Sequence, residues 1–196
     1  QGAGVPSLSI AAWRLGFATL VATPFALAAL RQAQSYTSRQ LGLGLAAGLC
    51  LAAHFGTWIS SLEYTSVASS TALVTTNPLW IGLASFVLFG ERPGRAMLAG
   101  IALSLAGSFL IFLSDSQQVA SGNDSLLGNA LALIGSWCFS AYLMIGRRLR
   151  AGLTLALYVW LTYGIAALAL FAVAGGSGLP LAGFAFAGWL ALAGMA

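Results

Sequence analysis

Six stretches of this chain run without a charged residue: Leu15–Leu30, Gln40–Leu62, Tyr64–Gly90, Ala96–Ser114, Ser125–Gly146 and Ala151–Ala196. A helix needs about 20 apolar residues to cross the hydrocarbon of a bilayer, and most of these stretches are long enough. The other spanning solution is a closed β-barrel, which calls for short alternating strands. These runs are apolar on every face, so helices are expected. Only 6% of the residues are charged and 59% are hydrophobic, against about 25% charged in an ordinary soluble domain. A chain of this length could not hide that much apolar surface in water. A soluble enzyme, a nucleic-acid binder, a disulfide scaffold and a disordered chain are thereby excluded. Cys50 and Cys138 fall within spans, where free cysteine behaves as a small hydrophobe.

Dividing the stretches at polar or glycine-rich breaks predicts seven helices: Leu8–Leu30, Leu41–Leu62, Val67–Phe89, Met97–Leu113, Leu126–Gly146, Leu153–Ala174 and Leu181–Ala196. Every arginine outside them lies in alternate connections, as Arg31 and Arg39, then Arg92 and Arg95, then Arg147, Arg148 and Arg150. The intervening connections, around Glu63–Thr65, Asp115–Asp124 and Gly175–Pro180, hold none. The positive-inside rule puts the arginine loops in the cytoplasm, so Gln1 lies outside and the first helix runs inward. The chain starts without Met directly ahead of a helix, and no signal-peptide pattern precedes it. The last apolar run stops at Ala196. The expectation is a piece of a longer protein, with helices missing at both ends. A complete seven-helix protein with a shallow last segment is the alternative.

Lipid tails are as apolar as leucine, so helices in a membrane associate through close packing and interhelical hydrogen bonds. Small residues recur at four-residue spacing for this purpose: Gly44, Gly48, Ala52, Gly56 and Ser60; Gly100, Ser104 and Ser108; Gly128, Ala132, Ser136 and Ser140. They predict a bundle, either static or able to slide.

Polar groups at membrane depth are costly unless satisfied. Arg14 lies early in the first helix and is an anion-binding candidate. Its alternatives are snorkelling or pairing with Glu63. His54, the sole histidine, shares a helix face with Trp58 and Ser61. It is either a proton-coupling group or a hydrogen-bonded packing residue. Thr75, Thr76, Asn77 and Pro78 lie near the middle of the third span. Pro78 cannot donate to the carbonyl of Val74, and broken helices at the midplane are where many transporters bind substrate; a structural kink capped by threonines is the other reading. Trp80, Trp137, Tyr158 and Tyr163 could line an apolar cavity, while Trp13 and Trp58 suit the interfacial belt. There is no paired-histidine metal site, midplane acid cluster, GxSxG or phosphate loop, so neither a metal nor another cofactor is expected.

The stretch from His54 through Trp58, Glu63 and Ser70 to Thr76-Asn77-Pro78-Leu79 resembles the EamA family of the drug/metabolite transporter superfamily. Phe89-Gly90-Glu91-Arg92-Pro93, then Gly100 and Gly107, and Arg14-Leu15 with Ala18 match the same family. The resemblance implies an all-α multi-pass bundle of two inverted five-helix repeats, ten helices in full, working by alternating access. About seven helices would be present here. Residues 1–114 would be a first repeat lacking its first helix, 115–125 an outer linker, and 126–196 the start of a second repeat. The expected function is a secondary carrier of the bacterial inner membrane, an exporter of small organic metabolites or drug-like solutes. Its substrate-binding residues would be His54, Trp58, Thr76, Asn77, Trp80, Trp137, Ser140 and Tyr158, with Pro78 as the helix break. The expected partners are the solute and the bilayer, with a homodimer left open and no nucleic acid. A non-transporting scaffold is the first alternative, and a membrane-embedded enzyme the second.

Overall fold

The computed structural model describes residues 5–31, 37–116 and 125–184, together with Trp189 and Gly194; for 111–116 only the backbone is described. Among these residues the regular structure is all helical, with α1 Ser7–Leu30, α2 Ser38–Ser61, α3 Val67–Val74, α4 Asn77–Phe89, α5 Arg95–Ser116, α6 Ser125–Leu149 and α7 Leu155–Gly176. Five segments are long and apolar enough to cross a membrane, α3 and α4 counting together as Val67–Phe89. The protein is a multi-pass helical membrane protein.

Local chemistry explains the helix ends. Thr37 and Gln40 form a reciprocal capping box at the start of α2: the Gln40 amide N–H donates to Thr37 Oγ1 (3.2 Å) and the Thr37 N–H to Gln40 Oε1 (2.9 Å). Ser66 caps α3 by accepting from the Ser69 N–H at 3.0 Å, and Thr154 caps α7. Gly90 ends α4 at φ 68°, with its own N–H on Phe86 O and that of Glu91 on Ser85 O; glycine reaches this left-handed geometry without a Cβ penalty. α6 continues past the expected Gly146 through Arg147 and Arg148, whose charge favours a helix C-terminus.

The third span is broken ahead of Pro78: α3 stops at Val74 and α4 starts at Asn77, with Thr75 and Thr76 both near ψ 0° between them. Pro78 supplies no donor to the turn before it, and the Thr76 N–H turns to Leu73 O at 3.2 Å instead. One expectation needs correction: no helix begins at Leu181. Residues 181–184 are not helical, Gly183 takes φ 83°, and the Leu181 carbonyl accepts from Trp13 Nε1 at 2.8 Å. Most of the expected helix Leu181–Ala196 lies outside the described residues.

The chain forms two compact units, whose borders fall inside α2 and α6: unit 1 is Gln1–Gly56 with Tyr142–Ala196, and unit 2 is Thr57–Ala141. In unit 1, α1 and α7 pack antiparallel. Trp13 meets Phe171 edge-on at 5.2 Å, a Cβ on Gly164 would touch Thr19, and Trp160 Nε1 donates to Thr23 Oγ1 at 3.1 Å. Pro24 removes a backbone donor inside α1, and the Thr23 and Thr19 hydroxyls bond back to Thr19 O and Leu15 O at 2.8 and 2.7 Å. The glycine stripe of α2 packs on α7: Cβ atoms on Gly44 and Gly48 would strike Leu161 and Ile165, and one on Gly56 would touch Leu170. In unit 2, Gly128 lets α6 approach the backbone of Thr65, and Thr65 Oγ1 donates to Asn129 Oδ1 at 2.9 Å. The stripe on α5 behaves differently. No described atom lies within 4 Å of a Cβ on Gly100 or Gly107, so small residues there mark no close helix contact among the described residues.

Candidate functional site

The break between α3 and α4 organises the polar centre of unit 2. Removing backbone donors at Pro78 leaves carbonyls of the last α3 turn to be met by side chains. Thr75 Oγ1 lies 2.9 Å from Thr71 O and 3.0 Å from Ala72 O, and Thr76 Oγ1 donates to Leu73 O at 2.6 Å. A hydroxyl has one proton and two lone pairs. With its proton on Leu73 O, Thr76 acts as acceptor for its other partners. Trp80 Nε1 donates to it at 3.1 Å, and Ser136 Oγ lies 3.3 Å away on α6 and is therefore the donor in that pair. Thr76 is thus fully engaged, and it fixes the Trp80 indole rather than offering a free group.

Trp80 meets Trp137 edge-to-face, with ring centroids 5.3 Å apart at 83°. Trp137 is 47% exposed, so a large apolar ring is presented beside the break. Ser140, one turn along α6, donates to Ser136 O at 2.8 Å and approaches Asn77 O at 3.3 Å. Asn77 itself is half-buried. Among the described residues its side-chain amide has no hydrogen-bond partner, which leaves two donors and one carbonyl oxygen open. No charged residue occurs in 66–89 or 126–141. Chemically, this is a neutral surface with one flat aromatic face and one amide.

Of the residues expected from sequence, the structure therefore brings Thr76, Asn77, Pro78, Trp80, Trp137 and Ser140 together in unit 2. Trp58 also belongs to unit 2, where its carbonyl accepts from Ser61 Oγ at 2.6 Å; Ser61 in turn meets Ser70 Oγ at 2.6 Å. Both serines are fully buried. His54, Arg14 and Tyr158 belong to unit 1. His54 is buried against the edge of Phe55, centroids 4.9 Å apart. The Arg14 guanidinium sits 5.3 Å from the Phe55 centroid, a cation–π arrangement within unit 1. Tyr158 is buried, stacks on Tyr142 at 5.8 Å, and places its hydroxyl against Gly146. Ser136 was legible only as one member of a small-residue stripe, yet it is the hydroxyl that links α6 to Thr76. Among the described residues no group of three or more His, Cys, Asp or Glu could hold a metal ion.

Replacing Thr76 by Val keeps the volume but removes the acceptor of Trp80 and Ser136. Loss of these bonds in a buried position should cost about 1–3 kcal/mol. A lowered melting temperature together with broadened or shifted Trp80 fluorescence is the expected result; an unchanged indole signal would contradict this anchoring.

A family model described as EamA-like transporter family matches residues 2–113. A protein named riboflavin transporter from Rhizobium johnstonii is 36% identical over 110 residues, covering 54% of this chain and 34% of that protein. The yeast Saccharomyces cerevisiae has a thiamine-repressible mitochondrial transport protein, THI74, that is 38% identical over 85 residues, 42% of this chain and 23% of its own length. The matches thus reach about a third or less of these relatives. A solved crystal structure superposes with a TM-score of 0.72 at 23% identity, covering 97% of this chain and 65% of the other, and shares the fold.

Proposed function

The chain belongs to the EamA-like transporter family, and on that premise we propose that it forms part of a secondary carrier for small, flat, uncharged organic solutes. The carrier works by alternating access in a bacterial inner membrane, with export as the working direction and the arginine loops in the cytoplasm. The observation that carries the reading is the open Asn77 amide at the Pro78 break, beside the Trp80–Trp137 pair. Asn77 orients a polar edge of the solute, the indoles supply contact area, and Thr76, Ser136 and Ser140 hold the wall in place. The absence of charge in 66–89 and 126–141 suits a neutral heteroaromatic. The name of the Rhizobium relative points the same way, since riboflavin is such a compound.

Antiparallel packing of α1 on α7 supports the repeat assignment, because these would be corresponding helices of residues 1–114 and 126–196 and an inverted repeat reverses their direction. His54 is the group proposed for proton coupling; Arg14, whose guanidinium lies over Phe55, is given no part in binding an uncharged solute. Tyr158, engaged by Tyr142 and Gly146, is not used in this reading, and no second copy is required.

The test is riboflavin uptake by the full-length carrier reconstituted in liposomes and in everted vesicles. The reading predicts saturable flux competed by other flat heteroaromatics, and strongly reduced flux when His54→Ala and Asn77→Ala are combined. Unchanged flux in the double variant would remove the proposed site. Flux driven by a pH gradient in the parent protein and indifferent to it in His54→Gln supports coupling; gradient-independent flux in the parent ends that part.

A further inference from the structure

The two units differ sharply in charge. Unit 1 carries six of the eight arginines and no acidic residue; the four acids, Glu63, Glu91, Asp115 and Asp124, all fall in unit 2. Five of the six unit 1 arginines, Arg31, Arg39, Arg147, Arg148 and Arg150, sit at one end of it, where α1 and α6 finish and α2 and α7 begin. Gln40 Nε2 holds this end together by approaching Gly152 O at 3.4 Å across the start of α2 and the connection into α7.

The same end contains a cavity of about 150 Å³ lined by Leu30, Gln40, Leu41, Leu153, Leu157, Trp160 and Leu161. Its wall is apolar apart from the Gln40 amide, and a cavity of this size lined by such side chains accepts an apolar group rather than water. Leu30 precedes Arg31 and Gln40 follows Arg39 in the chain, so both arginines are the chain neighbours of lining residues. Arg31, Arg39 and Arg150 are exposed. An apolar cavity whose lining residues adjoin arginines in the chain, within a unit that has no acidic residue of its own, is complementary to an anionic amphiphile.

We propose that this cavity holds part of one acyl chain of an anionic phospholipid, whose phosphate lies at the Arg31–Arg39–Arg150 rim. The hydrocarbon fills the leucine-lined space against the Trp160 indole, and the headgroup supplies the negative charge that unit 1 lacks. Zwitterionic lipid offers the same chain but little net charge. Each arginine near a membrane surface favours anionic lipid by about fivefold. The site is independent of the Asn77 wall, which lies in unit 2.

Trp160 makes the proposal measurable. The full-length carrier is placed in nanodiscs containing phosphatidylglycerol or phosphatidylcholine with brominated acyl chains, and quenching is read as the difference between the parent protein and Trp160→Phe. Several-fold stronger quenching by brominated phosphatidylglycerol is expected. In the Arg31→Gln/Arg39→Gln double variant this preference should be largely lost, the two lipids quenching nearly alike. Equal quenching by the two lipids would overturn the proposal, as would no quenching or a preference unaltered in the double variant. Native mass spectrometry of the unsubstituted carrier avoids any tryptophan replacement: retention of phosphatidylglycerol over phosphatidylcholine supports the site, and equal retention contradicts it.

Discussion

Gly48→Leu should lower the melting temperature of the protein by roughly 5–10 °C and, at growth temperature, reduce the amount recovered as folded carrier. A Cβ at this position would lie 2.6 Å from both Cβ and Cγ2 of Ile165 and 3.0 Å from the Thr162 carbonyl oxygen. None of these atoms is the far end of a flexible side chain, so the α2 and α7 backbones must move apart. Overpacking of this kind typically costs about 1–3 kcal/mol, occasionally more, and separating two helices also forfeits the contacts on either side. Gly100→Leu is the matched control, because open space surrounds a Cβ there. It should leave the melting temperature unchanged. Equal effects of the two substitutions would show that the α2–α7 approach described here is wrong.

Asn77→Ala should raise the solute concentration needed for half-maximal transport by about tenfold while shifting the melting temperature little. The amide has no partner among the described residues, so its removal breaks no internal bond. What is lost is one or two hydrogen bonds to solute, about 1–1.5 kcal/mol each, and 1.4 kcal/mol is a factor of ten in affinity. Thr76→Val should show the opposite division, with stability reduced first and transport affected through Trp80. A stability loss in Asn77→Ala as large as that in Thr76→Val would mean that the amide serves packing rather than recognition.

The membrane class and most helix positions were legible because apolar run length and arginine placement answer directly to bilayer thickness and charge. The break at Pro78 was legible for a similarly local reason, a missing N–H. The helix start at Leu181 was misread because hydropathy carries no account of Gly183 at φ 83° or of Trp13 taking the Leu181 carbonyl. The α5 stripe shows the limit of small-residue spacing: it permits a close neighbour without supplying one. In the candidate site, Asn77, Trp80 and Trp137 followed from residue type and depth. Ser136 and the engaged state of Thr76 did not, since which partner takes a hydroxyl proton depends on distances that only the folded chain defines. The leucine-lined cavity was equally hidden, because the leucines that meet in it are more than a hundred residues apart in sequence.

A solute-accessible wall at the α3–α4 break, as proposed, differs from a lipid-sealed kink in whether water-borne reagents reach it. The direct measurement is labelling of Asn77→Cys by a membrane-impermeant maleimide in the full-length carrier, with Cys50 and Cys138 replaced by serine. Labelling in the absence of solute and protection by saturating transported solute are the expected results. An Asn77→Cys thiol that stays unlabelled, or labels equally with and without solute, would contradict it.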